Sequence, residues 1–229
     1  MNNLIKDIGW YLKRKQRKAN SRSDGHSQYG QDVVAMELLG NPESGTFIDI
    51  GANDGVTYSN SLLFEQRGWT GVCVEPHPVI FSELQEQRKC HLLNACVAAK
   101  DEIVDFLVVD GPGNMLSGIA KFCDERHMAQ IERNIEQKGG GKRMIEIEAL
   151  SPETMLARFD IKAIDYLSID TEGCEMQILK TFDFDQIPVK LISVENNTRT
   201  PAIFRYLATI GFSLVKCVGS DEFYRRRDD

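Results

Sequence analysis

The chain has 229 residues, of which 42% are hydrophobic and 27% charged, and a formal net charge of -7. That length suits one full α/β domain or two small ones, and the balance excludes a collagen-like, low-complexity or wholly disordered chain. The charge is uneven: Lys6, Lys13, Arg14, Lys15, Arg17, Lys18 and Arg22 face only Asp7 in residues 1–22, a net +6, and the remaining -13 makes the body a poor partner for nucleic acid, which is bound through its phosphates.

Residues 3–18 read as a helix, with Leu4, Ile8, Tyr11 and Leu12 as an apolar stripe and the basic residues crowded toward its C-terminal end. Ala19–Ser27 is small and polar, so residues 1–26 read as a basic amphipathic helix with a linker, ahead of a domain over 27–229. Three occupants of that helix stay open: its own domain, a protein partner in an oligomer or other assembly, or the inner face of a membrane. Lys6 and Asp7 interrupt any signal-peptide core, and no stretch approaches the ~18 uncharged apolar residues of a membrane span. The six cysteines form no C-x-x-C pair, which predicts reduced thiols, a cytoplasmic setting and no zinc site.

Beyond the linker, apolar runs alternate with helical patterns. Thr46–Ile50, Thr70–Glu75 and His91–Ala98 read as strands, separated by helices over Tyr58–Arg67 and Val79–Arg88. This β-α-β-α-β order predicts a parallel sheet covered by helices. Ile103–Val109 alternates as an antiparallel strand, Lys121–Lys138 is a charged helix ended by Gly139-Gly140-Gly141, and Arg143–Ala149 alternates again. The α/β order resumes with a helix over Ser151–Phe159 (Ser151 as its cap), a strand over Asp165–Asp170, a helix over Cys174–Thr181 and a strand over Lys190–Glu195. Pro201–Ile210, Phe212–Cys217 and Glu222–Arg226 follow as helix, strand and strand.

The strongest local signal is Phe47-Ile48-Asp49-Ile50-Gly51-Ala52-Asn53-Asp54-Gly55, a buried strand ending in an acid and a glycine loop. Glu75 stands twenty residues past Gly55, at the end of the next strand, where a carboxylate takes both hydroxyls of a ribose. A pyrophosphate-bearing dinucleotide wants G-x-G-x-x-G and no acids. Asp49 and Asp54 suit an ammonium-bearing nucleoside instead, which points to S-adenosylmethionine. Asp165–Glu175 is a second strand ending in acids, Asp170 and Glu172, at the expected reversal of strand order. Such acids deprotonate a hydroxyl acceptor directly or hold a cation that acidifies it; the plainer reading is that Asp170 caps a helix. Asp170, Glu172, Glu195 and Asn196 are the oxygen donors offered to a divalent cation (Mg²⁺, Mn²⁺ or Ca²⁺), and the same residues read equally as capping and hydrogen-bonding groups.

Three groups of residues, in this order, resemble the FkbM family of S-adenosylmethionine-dependent methyltransferases over roughly Ser27–Gly219: Ser27-Gln28-Tyr29-Gly30-Gln31-Asp32, then Phe47–Gly55 with Gly68–Pro76, then Leu167–Leu179 with Ser193-Val194-Glu195. The resemblance implies a class I methyltransferase fold, a Rossmann-like three-layer α/β structure with a seven-stranded, mostly parallel sheet and an antiparallel last strand. It implies O-methyl transfer, often to a sugar hydroxyl of a glycan or glycosylated natural product. Carried onto this chain, Gln28, Asp49, Gly51, Asn53, Gly55, Glu75, Pro76, Asn94, Ala95 and Asp170 would line the cofactor, and Asp170, Glu172 and Glu195 would be catalytic. His77 stands where the family commonly has Asn, and reads as structural. The insertion 111–141, with His127 in its helix, is expected on the acceptor side. Two alternatives stay open: a nicotinamide-dependent oxidoreductase on a related sheet, and a non-catalytic interaction protein retaining the fold.

Overall fold

The computed structural model describes residues 25–197 and 199–227; the basic helix expected over 3–18 lies outside them. The first half of the chain runs α1 (Gln31–Leu38), β1 (Thr46–Ile50), α2 (Leu62–Gln66), β2 (Thr70–Val74), α3 (Pro78–Gln87) and β3 (His91–Leu93). An inserted unit follows: β4 (Cys96–Val97), β5 (Glu102–Asp110), β6 (Gly118–Ile119), α4 (Glu125–Lys138) and β7 (Gly141–Leu150). The chain then gives α5 (Pro152–Arg158), β8 (Ile164–Ile169), α6 (Glu175–Leu179) and β9 (Val189–Glu195). It closes with α7 (Ala202–Thr209), β10 (Phe212–Val218) and β11 (Asp221–Arg226).

Seven strands form the main sheet in the order β10-β11-β9-β8-β1-β2-β3. Neighbours from β9 to β3 pair in parallel, and β11 alone runs against both of its neighbours. This is the topology the resemblance implies. Strand order reverses at β1, which lies between β2 and β8, so ligands are expected at the C-terminal ends of these three strands. Successive strand residues point to opposite faces, and the two cores follow that alternation. Ile48, Ile50, Leu167 and Ile192 face a core shared with α5, α6, α7 and the inserted sheet. Phe47, Cys73, Tyr166 and Leu191 face the other, filled by Met36 of α1, Phe64 of α2 and Leu84 of α3.

The inserted unit is a second sheet of order β4-β7-β5-β6, with β5 antiparallel to β7 as the alternation predicts. The expected strand His91–Ala98 is divided: β3 joins the main sheet, β4 joins the second, and Asn94-Ala95 carries the chain between them. The helix expected from Lys121 starts at Glu125, because the Asp124 side chain accepts from His127 N and fixes the first turn there. The helix expected from Tyr58 starts only at Leu62, since Tyr58 sits at φ 55 in the preceding loop.

Candidate functional site

Backbone pairing brings the two motif halves together. Gly51 N donates to Val74 O at 3.0 Å and Asp170 N donates to Ile50 O at 2.9 Å, so the ends of β2, β1 and β8 are stitched side by side. At Gly51 (φ 91) a Cβ would stand 1.8 Å from the Asp170 carbonyl oxygen, which leaves room for glycine alone. A cleft of about 1530 Å³ opens above these strand ends.

On the β2 side the floor is Glu75, which is 8% exposed. Its two oxygens accept from Asn53 N at 2.9 Å and His77 N at 2.7 Å. Burial nevertheless outweighs these bonds and pushes its pKa up to about 7. Gln28, Pro76 and Ala95 complete this end of the cleft. His77 is a joint between α3 and the inserted sheet: Nδ1 accepts from Ile80 N at 3.4 Å, Nε2 faces Val109 O at 3.3 Å, and burial lowers its pKa. Asn94 lies outside the cleft lining and gives its amide nitrogen to the carbonyls of Glu75 and Pro76, at 2.8 and 3.1 Å. Gly55 also faces away, against Leu84 and Arg88.

Beside the cleft, and sharing Gly51, Asn53, Asn60 and Asp170 with it, is a recess of about 50 Å³ that Asp49 also lines. Asp49 accepts from Ser61 Oγ at 2.5 Å; burial raises its pKa against the pull of Ser61 and Arg88. Arg88, 4% exposed, ties the loop down from below. Its guanidinium reaches Glu65 Oε2 at 2.7 Å, Gly55 O at 3.1 Å and Ser61 Oγ at 3.1 Å. Asp54 holds the loop from within, accepting from Val56 N and Thr57 N. Asn60 Oδ1 is buried without a hydrogen-bond partner. An orphaned acceptor beside the buried Asp49 and the half-buried Asp170 fits the ammonium end of S-adenosylmethionine, as Glu75 at the other end fits a ribose.

The third group is a row of acids set by register. β8 and β9 pair with Ile169 opposite Val194, which places the next residues, Asp170 and Glu195, side by side. β11 runs the other way with Asp221 opposite Glu195, which puts a third acid in the row. Burial, then the nearby Glu195, Asp221 and Glu172, hold Asp170 well above the usual carboxylate range. Burial and Glu172 push Glu195 up to about 8, burial takes Asp221 to about 6, and burial with Glu175 raises Glu172. Asp221 also accepts from Gln31 Nε2 at 2.8 Å, which links the opening motif to the row. Asp170 caps no helix: α6 starts at Glu175 with Cys174 before it, and Glu175 Oε1 holds the turn by accepting from Thr171 N and Gly173 N.

The acids do not form a preformed metal set. Among the described residues no three His, Cys, Asp or Glu side chains are arranged to hold a metal ion. Asn197 Nδ2 inserts a donor between Glu195 Oε2 (2.6 Å) and Glu172 Oε2 (3.4 Å), and Asn196 Nδ2 turns to Thr200 O and Glu222 Oε1. Of the residues offered for Mg²⁺, Mn²⁺ or Ca²⁺, Glu172 and Glu195 are thus engaged by Asn197, and Asn196 by Thr200 and Glu222.

Asn60 and Asp221 are absent from the residues singled out in the sequence. Asn60 has no motif of its own. Asp221 was within reach, because the start of an antiparallel last strand must lie at the same sheet edge as the ends of the parallel ones.

The profile described as the methyltransferase FkbM domain matches residues 49–214. The chain belongs to the FkbM methyltransferase family. As an FkbM protein it is an S-adenosylmethionine-dependent methyltransferase with the class I fold, and the family match sets aside the nicotinamide-dependent oxidoreductase. No curated protein sequence matches the chain. Solved structures similar to it include M. capricolum TrmK in complex with S-adenosylhomocysteine, at 10% identity, TM-score 0.41, covering 88% of this chain and 68% of that one. Two others are a fibrillarin/Nop5p complex (12% identity, TM-score 0.42, 90% of each chain) and the METTL16 methyltransferase domain (11%, TM-score 0.43, 86% of this chain and 66% of that one). The likeness is distant, and the strand order described above is what sets the fold. Among the described residues no helix is long and apolar enough to cross a membrane.

Proposed function

We propose that this FkbM protein is an O-methyltransferase acting on a sugar hydroxyl of a glycan or glycosylated natural product. The observation that carries this reading is the row Asp170, Glu195 and Asp221, backed by Glu172, at the end of the cleft away from Glu75. When bound, S-adenosylmethionine supplies an electrophilic methyl group. Glu75 would hold its ribose, Ala95 would flank the adenine, and Asp49, Asn60 and Asp170 would receive its cationic methionine end.

Acids crowded to the point of retaining protons are complementary to a positive ligand, which lowers their pKa values on arrival. Glu195, pushed up to about 8, is a proton acceptor matched to a weakly acidic hydroxyl near neutral pH. Asp170 and Glu195 stand side by side at the strand ends, so a proton shared between the two carboxyls lets the pair hold a hydroxyl by one donated and one accepted hydrogen bond. Residues 111–141 bound the acceptor side, where Asn114, Met115 and His127 line the cleft. His127 Nε2 lies 2.7 Å from Leu116 O. No step is assigned to a metal. The net charge of -7 supports a small-molecule or glycan acceptor over a nucleic acid.

The test is mass spectrometry of glycans and glycosides from a cell lacking the gene against its parent, followed by transfer of labelled methyl to the product that loses it. A labelled sugar ether is the expected result. Labelled RNA or protein with unlabelled glycans would overturn the reading, and no transfer at all would favour the non-catalytic interaction protein.

A further inference from the structure

α4 is a sorted helix. Its apolar face, Met128, Ile131 and Ile135, packs on Leu107, Val109 and Leu116 of the inserted unit. A second face, Arg126, Ala129, Gln130 and Arg133, follows i, i+3, i+4, i+7 spacing and lines the cleft. The glutamates of the same helix, Glu125, Glu132 and Glu136, lie off that face, and Glu132 is paired with Lys142. Neither arginine has an ion pair or a side-chain hydrogen bond among the described residues. Arg199, after β9, lines the same cleft and is equally unpaired. Asp124, the cap of α4 and the acid at its start that also lines the cleft, spends Oδ1 on His127 N at 2.8 Å.

These guanidinium groups do not serve packing, since the apolar face performs that on the other side of α4. They do not serve the cofactor's cationic end, which they would repel. Arg126, Arg133 and Arg199 are exposed to the solvent of the cleft, and in a chain of net charge -7 a wall carrying three such guanidinium groups is a local attractor for an anion. Arg126 and Arg133 stand two turns apart, about 10 Å along the axis, close enough for both long side chains to converge on one group over Ala129. The planar guanidinium fork matches a carboxylate or phosphate. We infer that the acceptor is an acidic sugar, carrying a carboxylate or phosphate held by Arg126 and Arg133 while its hydroxyl faces Glu195. This rests on the methyltransferase reading above and narrows it.

The test measures binding to the full chain saturated with S-adenosylhomocysteine, at fixed ionic strength, with glucuronic acid, glucose 1-phosphate and glucose as probes. The wild type is expected to bind at least one of the two acidic sugars and to bind glucose at least tenfold more weakly. Arg126→Gln/Arg133→Gln is expected to lose about tenfold for the acidic sugar, the scale of one hydrogen bond to a charged group. Its affinity for S-adenosylhomocysteine should equal the wild type's, which also shows that it is folded. Preference for glucuronic acid identifies a carboxylate, and preference for glucose 1-phosphate a phosphate. Equal binding of all three sugars, binding of none, or an unchanged acidic-sugar affinity in the variant overturns the inference. A variant that instead loses S-adenosylhomocysteine also overturns it, by moving the arginines to the cofactor. If the wild type does not bind S-adenosylhomocysteine, it is the methyltransferase reading that falls.

Discussion

Replacing Glu75 by Gln separates two properties of this carboxyl that oppose each other. Burial raises its pKa from 4.5 to about 7. At 1.36 kcal/mol per pK, that shift is worth about 3 kcal/mol. The sign follows from proton binding: between these values the native state holds a proton that the unfolded chain has released, so stability falls as pH rises from 4.5 to about 7 and levels off above. Gln does not titrate, so it escapes that loss. It keeps one of the two acceptors facing Asn53 N and His77 N and turns an NH₂ on the other, a loss of about 1–3 kcal/mol at every pH. The variant should therefore be less stable than the wild type at pH 5 and close the gap, or overtake it, at pH 8.5. Urea unfolding of both proteins at four pH values across that range is the assay. Their difference isolates Glu75, because Asp170, Glu195 and Asp221 titrate in both. At about 2–4 °C per kcal/mol for a chain of this size, melting temperatures should show the same crossing. Parallel stability curves would refute the reasoning.

Four further outcomes are expected. Asp170→Asn should cut methyl transfer by about 10²-fold or more with little change in S-adenosylhomocysteine affinity, while a chelator leaves the wild type unaffected; full turnover in the variant would remove Asp170 from the chemistry. Gly51→Ala should lower stability by about 3 kcal/mol or more in chemical unfolding, since its Cβ would meet the Asp170 carbonyl at 1.8 Å. Calorimetry near pH 7 in buffers of different ionisation enthalpy should find more protons released by S-adenosylmethionine than by S-adenosylhomocysteine, whose sulfur is neutral, because the extra charge draws protons from the acidic row. Deleting residues 1–22 should leave cofactor affinity intact and lower partition onto anionic vesicles or the assembly state; unchanged partition and sedimentation would refute the docking role of this +6 segment.

The parallel strands and the two motif halves are legible in the sequence because each is a local pattern: an apolar run, a glycine loop and a terminal acid. The residues around Gly51, Glu75 and Asp170 therefore come to one sheet edge as expected. What stays hidden depends on contacts between distant segments. Asp221 joins the row only through the antiparallel register of β11 on β9, and Asn94 acts as a brace because its amide meets the carbonyls of residues 75–76. The division of His91–Ala98 between two sheets has no signal within those residues, since either sheet buries the same apolar side chains. The opposition of Asn197 to a metal set depends on a side chain reaching across a turn.

Arg88 gives the glycine loop after β1 an origin unlike that of most surface loops. Its guanidinium is sealed beneath Gly55–Ser61 with Glu65, so the loop's geometry is inherited from a core ion pair. Opening the loop would leave Arg88 with Glu65 but break its bonds to Gly55 O and Ser61 Oγ, each worth about 1.5–3 kcal/mol for a charged donor. The amides of Asn53 and Gly55, bonded to Glu75 and to the Ala52 carbonyl, should then exchange with solvent more slowly than those of the exposed Val56 and Thr57. Cofactor capture would be limited by diffusion into the cleft, with no waiting step for the loop to order, and little of the binding free energy would be lost to organising it.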